Sequence, residues 1–232
     1  MRNKALVVLF FTIFMDLMGF GLIIPILPIY AKELGATDAM VGLLGTSFSI
    51  MQFIFASFWG GLSDRFGRRP IMLISIAIMT VAYVLFANAT VLWLLFATRM
   101  LKGFGAANLS VAQAYISDVV PKEKRTKAFG IIGAAFGLGF IFGPSIGGLI
   151  NEYYGVSGVG YFAAGLSFMN LVLAYFFLGE TLKERAKSIA LFPNPFKDII
   201  RFRASSEISS LFTINFVYVL GFSMMQITST LL

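Results

Sequence analysis

Three ionisable side chains stand inside long apolar stretches, where an unpaired charge is costly. Asp16 lies near the middle of the first stretch, and Arg99 and Lys102 lie in the fourth. A carboxyl group shielded from water can bind and release a proton near neutral pH, so Asp16 is a candidate for proton or substrate coupling. The alternative interpretation is a structural carboxylate that a cation or the amide groups of a helix end hold permanently.

Arg99 and Lys102 are three residues apart, which places them on one face of a helix. One interpretation is that Arg99 faces a central cavity and influences Asp16. The other is that its guanidinium forms a salt bridge between helices, because a buried charge needs a partner or water. The sequence leaves both interpretations open.

A compact group of charges connects two apolar stretches at residues 60–70, GGLSDRFGRRP. One Asp among three Arg indicates a structured cluster, because opposite charges close to lipid attract each other more strongly than in water. The glycines permit a tight turn, and Pro70 suits the first turn of the helix that follows. We therefore expect residues 60–70 to join two transmembrane helices.

The elements that must position these residues are membrane-spanning helices. Hydrophobic residues make up 58% and charged residues 12% of the 232-residue chain, whereas soluble domains carry about 25% charged residues. A span needs about 20 apolar residues, and seven candidates occur: 5–30, 39–61, 71–88, 91–117, 127–150, 159–179 and 207–232. The chain has no Cys and no His, which excludes disulfides and thiolate metal sites, and no nucleophile–base set or P-loop indicates an enzyme.

The distribution of positive charge predicts the topology. Fifteen of the 18 Lys and Arg residues lie before the first span or in every second connection, and the alternate connections hold only Lys32. The positive-inside rule places the N-terminus and the basic connections in the cytoplasm, as expected of a multi-pass protein of the inner (plasma) membrane. The same distribution argues against nucleic acid as a partner, although the net charge is +7.

An internal repeat agrees with this topology. GGLSDRFG at residues 60–67 is echoed by GGLINEYYG at residues 147–155, with one residue inserted. Each copy ends the second span of a three-span group, and two such groups of opposite orientation are typical of secondary transporters. The sequence thus predicts an all-α integral membrane protein with a six-helix N-terminal bundle of two inverted three-helix repeats over 1–180. A cytoplasmic loop over 181–206 and the start of a seventh helix over 207–232 would follow.

The fifth span is rich in glycine at intervals of four residues. This spacing predicts that another helix approaches closely along two ladders, Gly133/Gly137 and Gly139/Gly143/Gly147. Pro144 removes one backbone hydrogen bond and predicts a bend. Helix packing alone explains the pattern, and the alternative is a pivot or a seal against ion leakage.

Together these motifs resemble the major facilitator superfamily, and in particular its twelve-helix drug:proton antiporter branch of tetracycline-resistance-like and multidrug exporters. GLSDRFGRRP at residues 61–70 is similar to the signature between the second and third helices, and residues 16–28 to the first-helix motif. Arg99 with Gly103 and Gly105 is similar to the fourth-helix motif, and GLGFIFGPSIGG at residues 137–148 to the fifth-helix antiporter motif. The resemblance covers all six helices of the N-terminal half.

The resemblance implies a role for each matching residue. Asp16 would take part in proton or substrate coupling, and Arg99 in proton transfer. Asp64 would meet the positive end of a helix in the C-terminal half, and Arg68 would pair with Asp118, which would lock the outward-open state. The implied gating set is Gly61, Asp64, Arg65, Gly67, Arg68, Arg69 and Asp118. The implied helix-packing set is Gly139, Gly143, Pro144, Gly147 and Gly148.

The hypothesis that follows is a proton-coupled secondary transporter that exports drugs or amphiphilic metabolites by alternating access, with the proton as coupling ion and no other cofactor. Its partners would be a small-molecule substrate, the lipid bilayer and the C-terminal half of the same transporter. Two alternatives stay open, which are nutrient or metabolite uptake by the same fold and a truncated, non-transporting membrane partner. Tetracycline exporters of this type carry an acidic residue in the third helix, whereas the span 71–88 has no charge, which argues against tetracycline itself.

Overall fold

A computed structural model describes residues 2–106 and 108–182, together with parts of 209–221. Residues 1–191 and 192–232 form two separate compact units. The first unit contains one short 3-10 helix, Lys122–Lys124, and its α-helices are α1 (Arg2–Ile23), α2 (Leu27–Glu33), α3 (Asp38–Phe66), α4 (Arg68–Ala87), α5 (Leu92–Gly105), α6 (Asn108–Val119) and α7 (Arg125–Phe177).

Among the described residues, four helical stretches are long and apolar enough to cross a bilayer by length and composition: Leu6–Ile23, Asp38–Phe66, Arg68–Ala87 and Lys122–Phe177. They contain the predicted spans two and five and all but the last one or two residues of spans three and six, with five and six joined together, and most of span one. The first span is wrong in one detail, because the helix stops at Ile23 and resumes at Leu27 as α2. Pro25 and Pro28 explain the break, since neither can donate a backbone hydrogen bond.

The fourth span is also two helices, because α5 ends at Gly105 and α6 begins at Asn108. The break leaves carbonyl groups without a hydrogen-bond partner in the helix, and side chains from neighbouring helices donate hydrogen bonds to them. Trp59 Nε1 donates to Phe104 O at 2.6 Å and Gln52 Nε2 to Ala106 O at 3.4 Å, and Ser75 Oγ donates to Gly105 O. Backbone groups inside a bilayer must be bonded within the protein, so these donors permit the break.

Both copies of the repeat end in a glycine with a positive φ. Gly67, between α3 and α4, has φ of 113°, and Gly155, inside α7, has φ of 66°. Both lie in the left-handed region, which glycine adopts without strain. Gly155 has non-helical backbone angles and forms a kink inside α7, which separates the predicted spans five and six.

Helix packing brings α1 against α7 and places α4 between α5 and α7, with α3 against α5. Two buried apolar clusters result, and α1 contributes to both. Leu9 and Ile13 belong to one cluster, and Met18 and Leu22 belong to the other. Asp16 lies between these pairs, so the fold holds its carboxyl group at the junction of the two clusters.

The predicted loop 181–206 and seventh helix 207–232 lie mostly outside the described residues. The described residues between 209 and 221 are helical, and Thr213 Oγ1 donates to Ser209 O at 2.9 Å. The predicted domain boundaries therefore stay predictions.

Candidate functional site

A cavity of about 170 Å³ opens beside Asp16 in the first unit. Its wall combines one acidic, one basic and one amide side chain with apolar and aromatic ones. The lining residues are Ile13, Asp16, Leu17, Phe20, Phe48, Gln52, Met79, Lys102, Ala106, Leu109 and Phe136. A small polar set on an apolar wall is typical of a site for an organic molecule.

Asp16 is 9% exposed and is held by a neighbouring amide. Asn170 Nδ2, from α7, donates to Asp16 Oδ1 at 2.9 Å and to Thr12 O at 3.1 Å. The sequence analysis did not single out Asn170, because an amide in an apolar helix gives no signal of which helix it faces. This contact links the candidate coupling carboxylate to the second three-helix group.

Lys102, and not Arg99, is the cation on the cavity wall. Its Nζ lies 4.2 Å from the ring centroid of Tyr83 and 4.9 Å from that of Phe20. Both distances lie within the range in which a cation is attracted to an aromatic face. The side chain is 3% exposed, and its Nζ has no hydrogen-bond partner in the described part of the chain.

Arg99 lies behind the aromatic part of the wall. Its guanidinium carbon lies 4.9 Å from the ring centroid of Phe48 and 5.9 Å from that of Phe20. The residue is 4% exposed, and its Nε and Nη1 have no hydrogen-bond partner among residues 2–106 and 108–182. Arg99 is therefore not among the residues that line the cavity but packs against two that do, and its implied part in proton transfer stays a prediction.

The charged connection between α3 and α4 forms an ordered cluster centred on Arg68, which is buried. Arg68 Nη2 pairs with Asp64 Oδ1 at 2.6 Å, and its Nε pairs with Asp118 Oδ2 at 3.1 Å. Its Nη1 donates to Ser63 Oγ at 2.6 Å. The structure thus contains the Arg68–Asp118 pair that the resemblance implies, and Asp64 has a partner within the same connection.

The other members of the implied gating set surround this cluster. Gly67 provides the left-handed turn, and Arg69 Nη2 donates to Tyr175 O at 2.6 Å. Arg65 lies over the ring of Phe66, with its guanidinium carbon 5.4 Å from the centroid. Gly61 lies inside α3. The role of the set in gating stays a prediction.

Glu180 is a part of this cluster that sequence analysis missed. Its carboxylate accepts the backbone N–H groups of Arg68 at 2.9 Å and Arg69 at 3.3 Å, which open α4. It also accepts those of Thr181 and Leu182 at 2.9 and 3.0 Å. Thr181 Oγ1 donates to Asp118 Oδ2 at 3.2 Å. These hydrogen bonds connect the end of the sixth span to the start of the third.

Of the two predicted glycine ladders in α7, Gly139/Gly143/Gly147 packs closely against another helix. A Cβ at Gly143 would lie 2.7 Å from Gly21 Cα, and one at Gly147 would lie 2.6 Å from Leu22 O. Gly139 similarly lies against Leu17, so this ladder contacts α1.

Two other expectations about these glycines, the ladder Gly133/Gly137 and the packing role of Gly148, stay predictions. No atom of the described part of the chain lies within 4 Å of a Cβ placed at any of the three positions. A helix that approaches them would have to lie outside the described residues. Pro144 lies beside the ladder that contacts α1, and its Cδ would be 3.4 Å from a Cβ at Gly21.

Comparisons with known proteins agree with the geometry. The family model described as Major Facilitator Superfamily matches residues 9–232. The chain is 35% identical over 219 residues to the class C tetracycline resistance protein of Escherichia coli. This match covers 93% of the chain and 55% of that relative. It is 37% identical over 151 residues to the quinolone resistance protein NorA of Staphylococcus aureus, covering 65% of this chain and 39% of the relative. The chain thus spans about half the length, or less, of these relatives.

A solved structure shares the fold. The crystal structure of the human organic anion transporter MFSD10 (TETRAN) superposes with a TM-score of 0.78 and is 27% identical. The match covers 90% of this chain and 59% of that one. This likeness confirms the predicted fold class, an all-helical membrane bundle.

Proposed function

Because the chain belongs to the major facilitator superfamily, we propose that it forms the N-terminal half of a proton-coupled transporter that exports amphiphilic compounds by alternating access. Members of this superfamily are transporters and not enzymes. The observation that supports the proposal best is the cavity, where a buried carboxylate shares a largely apolar wall with aromatic side chains. The drug-resistance relatives support export rather than uptake.

Asp16 would carry the coupling proton. It is buried, it lines the cavity, and Asn170 orients one of its oxygens. In a cavity open to one side of the membrane at a time, a carboxylate can take a proton from one side and release it to the other when cargo replaces it. Arg99, next to the same aromatic wall, would influence that exchange through its charge.

The cluster around Arg68 would act as the gate on the cytoplasmic side. Its pairs with Asp64 and Asp118 and the bonds of Glu180 connect the ends of four predicted spans. The charge-assisted bonds of such a cluster strengthen one another, so the loss of one weakens the cluster. Its breaking would accompany the change from the outward-open to the inward-open state.

The position in the membrane follows from the charge distribution. With 15 of 18 basic residues on one side, the N-terminus and the connection holding Arg68 would face the cytoplasm of a cell whose inner (plasma) membrane holds the protein. Gly133 and Gly137 of α7, which have no close neighbour among the described residues, would face the C-terminal half of the transporter.

Everted membrane vesicles test the proposal. The full reading frame that contains this chain is expressed, the vesicle lumen is acidified by respiration, and uptake of a panel of fluorescent aromatic amphiphiles is followed. We expect accumulation that collapses when an ionophore removes the pH gradient. Asp16→Asn should reduce gradient-driven accumulation to the level of vesicles without the protein.

Asp38→Asn is the matched control. Asp38 is an exposed carboxylate that pairs with Lys32 at 2.9 Å, away from the cavity, so its loss should leave accumulation unchanged. If the unaltered protein accumulates none of the compounds in response to the gradient, export is excluded. If Asp16→Asn retains full gradient-driven accumulation, Asp16 is not the coupling residue.

A further inference from the structure

We infer that Lys102 is a specificity-determining residue whose ammonium group binds an anionic group, a carboxylate or sulfonate, on the transported amphiphile. The inference rests on the proposed function only in taking the cavity as the cargo site. It goes further by naming the chemistry that cargo must carry and the side chain that recognises it.

The first support is the state of Lys102 itself. Its Nζ has no hydrogen-bond partner in the described ranges, although the side chain is 97% buried and lines the cavity. An ammonium group has three donors, and leaving them unsatisfied in a buried place is costly. The rings of Tyr83 and Phe20 compensate only part of that cost, because a ring face accepts no strong hydrogen bond. A ligand oxygen reaching the wall would satisfy these donors.

The second support is the balance of charge. Asp16, Lys102 and Arg99 are the charged side chains on or directly behind the described cavity wall, one acidic and two basic. With all three ionised the site has a net positive charge, and it is more positive when Asp16 is protonated. A cargo without an anionic group leaves the ammonium group of Lys102 without a counter-charge in a medium of low dielectric constant, whereas an anionic group on the cargo provides one.

The third support comes from the broken fourth span. The carbonyl groups of Phe104, Gly105 and Ala106 at the end of α5 already accept hydrogen bonds from Trp59, Ser75 and Gln52, so they are not free to bond Lys102. The positive end of α6 begins next to the cavity, since Ala106 and Leu109 line it. The backbone there adds to the positive potential that Lys102 creates.

The rest of the wall indicates the shape of the cargo. Phe20, Phe48 and Phe136 offer aromatic faces, and Met79 adds a flexible apolar surface. A cargo that is exchanged for a proton at Asp16 must also compete for that carboxylate, which a cationic group on the same molecule does. The preferred cargo is therefore an aromatic zwitterion, with its anionic group on Lys102 and its cationic group on Asp16.

Four compounds with one skeleton test the inference. They are 2-naphthylalanine (zwitterion), its N-acetyl derivative (anion), its amide (cation) and its N-acetyl amide (neutral), so each carboxylate compound has a carboxamide counterpart. Binding to the purified full-length protein in lipid nanodiscs is measured by equilibrium dialysis without any gradient. We expect each carboxylate compound to bind about tenfold or more tightly than its counterpart, the usual effect of a charge-assisted hydrogen bond.

For each carboxylate compound and its carboxamide counterpart, Lys102→Gln should bring the ratio of the two affinities close to one. It should change the affinity of the carboxamides less than twofold. Lys102→Arg should keep most of the preference. Lys32→Gln, which removes an exposed lysine outside the cavity, should keep all of it.

The inference is overturned if the unaltered protein shows no carboxylate preference, which includes binding none of the four compounds. It is also overturned if Lys102→Gln leaves the ratios unchanged, or if it weakens all four compounds equally, as a purely structural lysine would. Failure of the proposed function would look different. In that case the vesicles would show no gradient-driven accumulation, while the purified protein would still prefer the carboxylate compounds.

Discussion

Glu180 shows how much a single side chain contributes to the cytoplasmic cluster. The first backbone N–H groups of a helix have no partner within the helix, and in α4 two of them belong to Arg68 and Arg69. The Glu180 carboxylate accepts both, although 112 residues separate it from Arg68. Negative charge at a helix N-terminus also interacts favourably with the helix dipole. Glu180 thus stabilises the start of α4 and the position of Arg68 at once.

The pH dependence of stability should reveal this contact. Burial raises the pKa of the Glu180 carboxyl, but hydrogen bonds from the backbone N–H groups of Leu182, Arg68, Thr181 and Arg69 outweigh it, and the pKa lies below its ordinary value of 4.5. A lowered folded-state pKa means that the ionised form stabilises the fold above the ordinary value. This contribution is lost as the pH falls through the folded-state pKa.

We therefore expect Glu180→Gln to lower the thermal midpoint at neutral pH, by the equivalent of about 0.3–1 kcal/mol. The difference from the unaltered protein should disappear in acid. Glu152→Gln, at an exposed position within α7, should show no such pattern in the same melting series. An equal effect of both substitutions at all pH values would contradict the assigned contact.

At the scale of elements, the contact between α1 and α7 depends on the absence of side chains. Gly21 of α1 faces Gly139 and Gly143 of α7, with Gly139 O 2.9 Å from the position of a Cβ at Gly21. Apolar helices in lipid gain little from hydrophobicity when they associate, so close backbone approach and packing must hold them. This contact positions Asp16, because it fixes the rotation and depth of α1 against the second three-helix group.

A single methyl group should separate these helices. Gly143→Ala would place a Cβ 2.7 Å from Gly21 Cα, which backbone movement has to relieve, at a cost of about 1–3 kcal/mol. Gly148→Ala is the matched control in the same motif, because nothing in the described part of the chain lies within 4 Å of its Cβ. Its effect should stay within about 0.5 kcal/mol.

Thermal unfolding of the two variants in detergent measures the difference, and gradient-driven accumulation in vesicles measures its consequence for Asp16. Equal stability of Gly143→Ala and the unaltered protein would show that the interface adapts to a methyl group.

At the scale of the molecule, the two three-helix groups share one plan. Each group has a glycine in the left-handed region at the end of its second span, Gly67 in the first group and Gly155 in the second. The basic residues remain only in the first copy. The copies would therefore face opposite sides of the membrane, and the side that carries Arg68 would become the gate.

Labelling of introduced cysteines tests this orientation, because the chain has no cysteine of its own. An impermeant maleimide should label Thr90→Cys in intact cells and should label Arg65→Cys only after permeabilisation. Both positions are exposed in the structure. Labelling of Arg65→Cys in intact cells, with Thr90→Cys labelled only after permeabilisation, would show the opposite topology. The cluster around Arg68 could then not be a cytoplasmic gate.

The sequence by itself determined the membrane-spanning segments, the alternation of basic connections, the repeat and the family. It also indicated the ladder Gly139/Gly143/Gly147, whereas the Arg68–Asp118 pair followed only from the family resemblance. The spans, the connections and the ladder are local features, because span length, charge and residue spacing act along the chain and in the lipid without reference to other helices.

Only the tertiary structure decided which side chains share the cavity. It placed Lys102 on the wall and Arg99 behind it, brought Asn170 to Asp16 and Glu180 to Arg68, and left Gly133, Gly137 and Gly148 without close neighbours in the described residues. The physical reason is that lipid and protein interior are both apolar. A helix that is apolar all round has no hydrophobic face from which its rotation can be predicted. That rotation is fixed by packing between residues far apart in the sequence.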